Sequence, residues 1–383
     1  MPLSHLSRRR FLTGAAAGAA LAASAPASLA ARAAAPAPPA PASPAAPAAA
    51  PPPGEADERG AQRLTLEALR RWESLGYGMF IHFGLNTFVG KDIPRTDPPA
   101  AAYAPDRLDV DQWVSVARDA GMKYAVLTAK HTTGHCLWPS DHTDYTVANS
   151  PVKTDVVGAF VKACRRAGLL PGLYYCSWDD HHMFGGQTPA VVKWSPIMNR
   201  FPKPGEALAP FTSSLYQSFQ TAQLEELIAR YGPLAEIWID IPGVLGRGYR
   251  TFLYQHLAGL QPEAVIMMNS GIGSGEKYDV AYAWPSDLIA IERRMPPETG
   301  HRTWRTIEGQ RYYVPGEVCD PISRYWFGME GDAARPVDAL AEQVTACRQR
   351  GVNVLLNVPP DKHGRIPDGH VQALAQLRKR LNL

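Results

Sequence analysis

Leu234-Ala235-Glu236-Ile237-Trp238-Ile239-Asp240 is the stretch that decides the fold. Three β-favouring apolar residues stand in a row, and Pro233 and Pro242 close off the two ends. A near-continuous apolar run of this length marks a strand buried on both faces, as in parallel sheets covered by helices. The run ends on Asp240. An ionisable group is costly there if buried without partners, but the carboxyl end of a parallel barrel strand is where active sites are built. Capping the next segment or anchoring a turn is the other use open to Asp240.

Working outward, the same unit recurs. Upstream, Gly78 to Gly84 reads as a first strand ending in His82, Lys123 to Thr128 as a second running into His131, and Leu169 to Tyr175 as a third. Downstream, Ala264 to Asn269 and Val352 to Asn357 read as further strands. Helical periodicity lies between them, at Asp111 to Ala120, Asp155 to Ala167, Leu215 to Tyr231, Tyr249 to Leu260 and Asp338 to Arg350. A first helix (Thr65 to Leu75) precedes them and a closing one (Gly369 to Arg380) follows, and Gly121 and Gly168 stop two of the set. The stretch from Gly271 to Phe327 reads as irregular, with weak strand signals near Ala281 to Trp284 and Arg311 to Val314. Strand, polar loop and helix in repetition predict an α/β fold with a parallel sheet and right-handed crossovers. An open doubly wound sheet competes. No glycine-rich nucleotide loop follows the first strand, and the length suits a closed, irregular (β/α)8 TIM-like barrel.

The rest of the chain sets the boundaries. Ser7-Arg8-Arg9-Arg10-Phe11-Leu12 precedes a small, mildly apolar run, so residues 1–35 read as a twin-arginine export signal too short for a membrane span. Residues 36–60 are an Ala/Pro-rich linker, and residues 61–383 are the folded catalytic domain. The expectation is a periplasmic or secreted protein that folds before export. The five cysteines, odd in number and without a CxxC spacing, read as buried free thiols. A formal net charge of +3 and no dense basic run argue against nucleic acid as a partner. Oligomeric state leaves no mark in the sequence.

His82, His131, Tyr175, Asp240 and Asn269 all fall at or just past strand ends, while the turns after helices are short and Gly-closed. That asymmetry belongs to the catalytic face of a barrel. Each residue alone has a plainer use: His82 in the core, His131 as a cap, Trp138 and Trp178 as core aromatics. Two chemistries fit. Metal-assisted hydrolysis would draw on Asp179-Asp180-His181-His182, although adjacent histidines diverge along a strand. Glycoside hydrolysis needs a second carboxylate, from among Glu276, Glu292, Glu308 and Glu317. Glu292 has an apolar approach and two adjoining arginines, which would tune its pKa in opposite directions. Glu317 reads as a strand-to-loop junction.

Several motifs, in order, resemble one known family. They are Tyr77-Gly78-Met79-Phe80-Ile81-His82-Phe83-Gly84 with Asn86-Thr87-Phe88; Leu127-Thr128-Ala129-Lys130-His131 with Cys136-Leu137-Trp138-Pro139; Glu236-Ile237-Trp238-Ile239-Asp240; and Leu355-Leu356-Asn357-Val358-Pro359-Pro360-Asp361 with Gly364-Arg365-Ile366. Together they resemble the α-L-fucosidases of glycoside hydrolase family 29. The resemblance implies a retaining mechanism without a cofactor or metal, and a fucosylated oligosaccharide or glycoconjugate as substrate. Asp240 would be the nucleophile and Glu292 the acid/base, with Glu317 in reserve. Glu292 should then have a raised pKa and Asp240 should not. His82 and His131 would bind fucose hydroxyls, with Trp238, Tyr175 and Trp138 near the sugar. The chain departs from the family pattern in four places, one being that the Glu-Trp-Tyr motif of one family branch is absent from the loop after Asn86. Ile241 follows Asp240 where Gly is usual. His131-Thr132-Thr133-Gly134-His135 replaces a motif with a second sugar-binding His, for which His135 would compensate. No C-terminal β-sandwich is evident after the closing helix. Against the hydrolase stand a fucose- or glycan-binding barrel without catalysis, and the metal-assisted hydrolase.

Overall fold

The structure, a computed structural model, describes residues 59–182 and 214–383. The expected export signal, and all but the last two residues of the expected linker, lie outside the described residues. Eight strands run parallel in one nearly closed sheet. In chain order they are β1 (Tyr77–Ile81), β2 (Tyr124–Lys130), β3 (Leu170–Cys176), β4 (Glu236–Asp240), β5 (Val265–Met268), β6 (Ile289–Glu292), β9 (Gly316–Pro321) and β10 (Val352–Asn357). The order around the barrel is β5-β4-β3-β2-β1-β10-β9-β6, so successive barrel strands are sheet neighbours except β5 and β6, which are the two ends of the sheet. A two-stranded antiparallel hairpin, β7 (Trp304–Ile307) and β8 (Gln310–Tyr313), is inserted between β6 and β9.

The strands form where the sequence is apolar because the barrel buries both their faces: β1 and β2 are buried along their whole length. Helices α1 (Leu66–Glu73), α3 (Val110–Asp119), α4 (Val156–Ala167), α5 (Ser214–Tyr231), α6 (Arg247–Leu260), α8 (Val337–Gln349) and α9 (Asp368–Leu381) cover the outside; α2 (Leu85–Val89) and α7 (Val280–Ala283) are single turns. Local chemistry starts and stops them. The Asp109 and Asp155 carboxylates accept the Gln112 and Gly158 N–H groups at 2.9 and 2.8 Å. Gly168 ends α4 in the left-handed conformation that Gly adopts freely. The five cysteines are free and buried. No helix among the described residues is long and apolar enough to cross a membrane.

The irregular part of the barrel is the part that reads as irregular in sequence. Between β5 and β6 only the single turn α7 intervenes, and between β6 and β9 the hairpin replaces the helix. The residues from Gly271 to Phe327 therefore hold two barrel strands that the sequence reading does not separate, while Ala281 to Trp284 is helical rather than extended. Side chains help join β5 to the β6 segment. Ile266 N–H donates to Asp287 Oδ2 at 2.8 Å, Met268 N–H to Ser286 Oγ at 3.0 Å, and Arg63 holds Asp287 from outside at 2.5 Å.

Strand parity sets what the interior contains. On β4, Glu236, Trp238 and Asp240 share one face, two residues apart, and point inward. Trp238 packs against Phe80 and Tyr174 at ring-centroid distances of 5.2 and 5.5 Å, forming an aromatic floor. Below that floor lie Glu236 and Glu317, fully buried.

Candidate active site

A cleft of about 290 Å³ opens at the carboxyl ends of the strands, above the aromatic floor. His82, His131, Trp238, Asp240 and Glu292 all line it, together with Tyr174, Asn269, Arg293 and Trp326. They come from the ends of β1 to β6 and from the segment after β9. Parallel packing brings those ends to one rim.

Asp240 is the last residue of β4. Tyr174 Oη donates to its Oδ2 at 2.6 Å, and Asn269 Nδ2 donates to its Oδ1 at 2.7 Å. The same Asn269 nitrogen donates to Glu292 Oε2 at 3.1 Å. Gly271 N–H, 2.8 Å from Asn269 Oδ1, fixes which way the amide faces. One side chain thus bridges two carboxylates, and the two bonds laid end to end keep the bridged oxygens within about 6 Å.

The two carboxylates differ in their surroundings. Burial, then the charge of Asp240, pushes Glu292 up to about 7, against the pull of the Asn269 hydrogen bond and Arg293. Burial raises Asp240 as well, against the expectation of an unshifted group. The Tyr174, Asn269 and Ile241 N–H donors oppose that rise. The asymmetry between the two therefore rests on Asp240 holding two short side-chain hydrogen bonds where Glu292 holds one longer one.

The histidines carry opposite tautomers. Asn357 Nδ2 donates to the Trp326 carbonyl at 2.8 Å, which leaves Asn357 Oδ1 to accept from His82 Nδ1 at 2.8 Å. His82 Nε2 is then a lone-pair acceptor. Asn86 Nδ2 donates to the Asp92 carbonyl and approaches His131 Nδ1 at 3.3 Å, while Asn86 Oδ1 accepts from Thr133. His131 Nδ1 is then the acceptor and its Nε2–H the donor. Burial holds both rings neutral, His82 down to about 3 and His131 also far below its ordinary value. The rings lie 5.6 Å apart, and His131 stacks on Tyr174. Neutral neighbours, one donating and one accepting, suit adjacent sugar hydroxyls.

The remaining candidates lie elsewhere. Tyr175 points outward, donating to Gln223 on α5 at 2.8 Å; its neighbour Tyr174 faces the cleft, as the two-residue period of a strand requires. His135 bonds Ser150 at 2.9 Å and stacks on Tyr103, so it does not take the place of a second sugar-binding His in the cleft. Trp138 donates to Glu226 at 2.8 Å. Glu317 opens β9 instead of ending a strand, so it sits under the floor, accepting from Tyr124 at 2.6 Å and Trp238 at 3.3 Å. In the Asp-Asp-His-His run, Lys130 Nζ takes Asp179 at 2.5 Å in full burial, with His182 at 3.1 Å, while His181 turns to Asp97 at 2.6 Å. Among the described residues no group of three or more His, Cys, Asp or Glu is arranged to hold a metal ion.

Tyr174 and Asn269 are the residues that sequence reasoning left without a role. Strand parity would have found Tyr174, because it shares its phase with the apolar inward face. Asn269 stands at a strand end, but nothing in sequence shows that it touches two carboxylates at once. Ile241 is held at φ 49°, ψ 46°. That left-handed conformation costs a non-glycine residue about 1–2 kcal/mol, which accounts for Gly as the usual residue there.

The chain is similar to known proteins. The family model described as alpha-L-fucosidase matches residues 97–383. Alpha-L-fucosidase 1 of Arabidopsis thaliana is 29% identical over 325 residues, covering 82% of this chain and 59% of that protein. The chain thus spans a little over half the length of such curated relatives. Among solved structures, a glycoside hydrolase 29 family member from an unknown rumen bacterium superposes with a TM-score of 0.64 at 26% identity, over 82% of this chain and 56% of that one. Alpha-L-fucosidase isoenzyme 1 from Paenibacillus thiaminolyticus shares the fold, with a TM-score of 0.66 at 24% identity over 82% of this chain and 75% of that one. With the family model spanning most of the chain and the fold shared, this chain belongs to the α-L-fucosidase family, glycoside hydrolase family 29.

Proposed function

We propose that the protein is a retaining exo-α-L-fucosidase that releases terminal L-fucose from oligosaccharides or glycoconjugates. The observation that carries the reading is the Asn269 bridge, which keeps one oxygen of Asp240 and one of Glu292 within about 6 Å of each other, close to the spacing of retaining carboxylate pairs. Ionised Asp240 attacks the anomeric carbon while protonated Glu292 gives its proton to the leaving oxygen. Glu292, now a carboxylate, then deprotonates the water that cleaves the fucosyl–Asp240 ester. A Glu292 pKa of about 7 suits both halves of that cycle. His82 and His131 bind the sugar hydroxyls from one side, and Trp238 and Phe80 supply apolar contact from below.

The direct test is release of 4-nitrophenol from its α-L-fucoside by the purified protein and by Asp240→Ala, Glu292→Ala and Glu317→Ala. Turnover by the wild type, loss in Asp240→Ala and azide rescue of Glu292→Ala are expected. Azide rescue of Glu317→Ala instead would move the acid/base away from the cleft. Binding of L-fucose without turnover of any fucoside would favour a sugar-binding protein.

We also propose export through the twin-arginine pathway, on the strength of Arg8-Arg9-Arg10-Phe11-Leu12 and the small apolar run that follows. Replacing Arg8, Arg9 and Arg10 by Lys should leave the protein in the cytoplasm of a host with that pathway.

A further inference from the structure

Three isoleucines line the cleft: Ile93 from the loop after β1 and Ile272 from the loop after β5, both exposed, and Ile241, which directly follows Asp240 and is buried. Ile93 is 40% exposed and Ile272 66%. Only seven large hydrophobic side chains among the described residues are exposed to this degree, and two of them are on the rim of this one cleft. Scattered exposed aliphatics need no explanation, but a cluster on the rim of a site does.

The positions are held. Asp92 accepts the Trp326 and Phe327 N–H groups at 3.1 and 3.0 Å, which pins the loop carrying Ile93. Gly271 N–H bonds to Asn269, which fixes the approach to Ile272. Ile241 is β-branched yet adopts φ 49°, a conformation such residues avoid and one that persists where a site requires it. Ile272 also lies against the acid, pairing in a parallel bridge with Glu292. Glu292 delivers its proton to the leaving oxygen, so whatever that oxygen carries lies over the neighbours of Glu292. That bridge places Ile272 on the acid's side of the cleft. Arg293, which also lines the cleft, is engaged with the Trp326 ring at 4.9 Å and the Arg324 carbonyl.

We infer that Ile93, Ile241 and Ile272 form a leaving-group subsite that, among the fucosylated glycoconjugates the cleft takes, favours those in which fucose is borne by an apolar aglycone, aryl or alkyl, over those in which it is borne by another sugar. The inference rests on the fucosidase reading of the cleft and names the substrate class within it. A sugar leaving group would have to place hydroxyls against three aliphatic side chains and leave them without partners, whereas an alkyl or aryl group shields the same surface from water.

The test is hydrolysis of methyl, butyl and hexyl α-L-fucosides, whose alcohols differ little in acidity and mainly in apolar area. The readout is the hexyl-to-methyl ratio of kcat/KM within each protein, which cancels any general loss of activity. The wild type should show a ratio of about ten or more, and Ile272→Ser combined with Ile93→Ser should bring it below about three. Both positions are exposed, so these variants should fold. A ratio near one in the wild type, an undiminished ratio in the double variant, or a fucosyl disaccharide cleaved tenfold faster than the hexyl fucoside would each overturn the subsite. Turnover of the methyl fucoside with a flat series overturns the subsite alone. Failure to cleave or bind any of the fucosides overturns the hydrolase reading, and the subsite with it.

Discussion

Removing the amide of Asn269 should move both limbs of the pH–activity profile upward. The perturbation is Asn269→Ala. It deletes a 2.7 Å hydrogen bond to Asp240 and a 3.1 Å one to Glu292 while leaving both carboxylates in place. A hydrogen bond to a charged group is worth about 1.5–3 kcal/mol, and one pKa unit corresponds to about 1.4 kcal/mol. The Asp240 limb should therefore rise by roughly 1–2 units, because the lost bond favoured the ionised form. The Glu292 limb, at about 7 in the wild type, should rise by less, since its bond is longer and shared. The donor also orients the Asp240 carboxylate for attack and holds it beside Glu292, so kcat/KM at the optimum should fall roughly 10–100-fold. The assay is kcat/KM for 4-nitrophenyl α-L-fucoside between pH 4 and 9, which reports the free enzyme. An acid limb that stays put or moves down would refute the reasoning. Asn269 would then be a packing residue, and the proximity of the two carboxylates would need another cause.

Glu292 has a folded pKa of about 7 against an ordinary 4.5, so its contribution to stability is greatest below pH 4.5 and is lost as pH rises to 7. Glu292→Gln should accordingly gain up to about 3 kcal/mol over the wild type at pH 8 and little at pH 4, read from urea midpoints; an equal gain at both pH values would count against it. Lys130→Met should cost about 3–5 kcal/mol in denaturant unfolding, because it strands the fully buried Asp179 carboxylate with only His182 and backbone donors, and a cost below 1 kcal/mol would show that water reaches the site. Tyr174→Phe should lower kcat/KM about tenfold or more while Tyr175→Phe stays within about twofold, and the reverse order would place the wrong face of β3 in the cleft.

The barrel was legible at the strands whose both faces are buried and whose connections are full helices. β1 to β5 and β10 announce themselves because a doubly buried strand is apolar along its length and the flanking helices carry a different period. β6 and β9 did not. β6 is four residues long and β9 carries Glu317 and Asp320 within it, and between them a hairpin stands where helical periodicity would have marked the boundary. The Glu317 reading failed for that reason: without the strand, its position at the entry end could not be told from the exit end.

The sequence by itself determined the chemistry that had to be accommodated. It placed His82, His131, Asp240 and Glu292 beside apolar runs, so the residue types and the end of the barrel they occupy were set by local pattern. Contact was decided only by tertiary structure. Asn269 reaches Asp240 across 29 positions and Glu292 across 23, and no local rule says that one amide will hold both. The choice of Tyr174 over Tyr175 depends on the phase of β3 relative to the barrel axis, and that phase comes from packing against β2 and β4. Burial did the rest. The same carboxyl group that would titrate near 4.5 on a free chain is held near 7 in Glu292, because closing the barrel excludes water and sets Asp240 beside it.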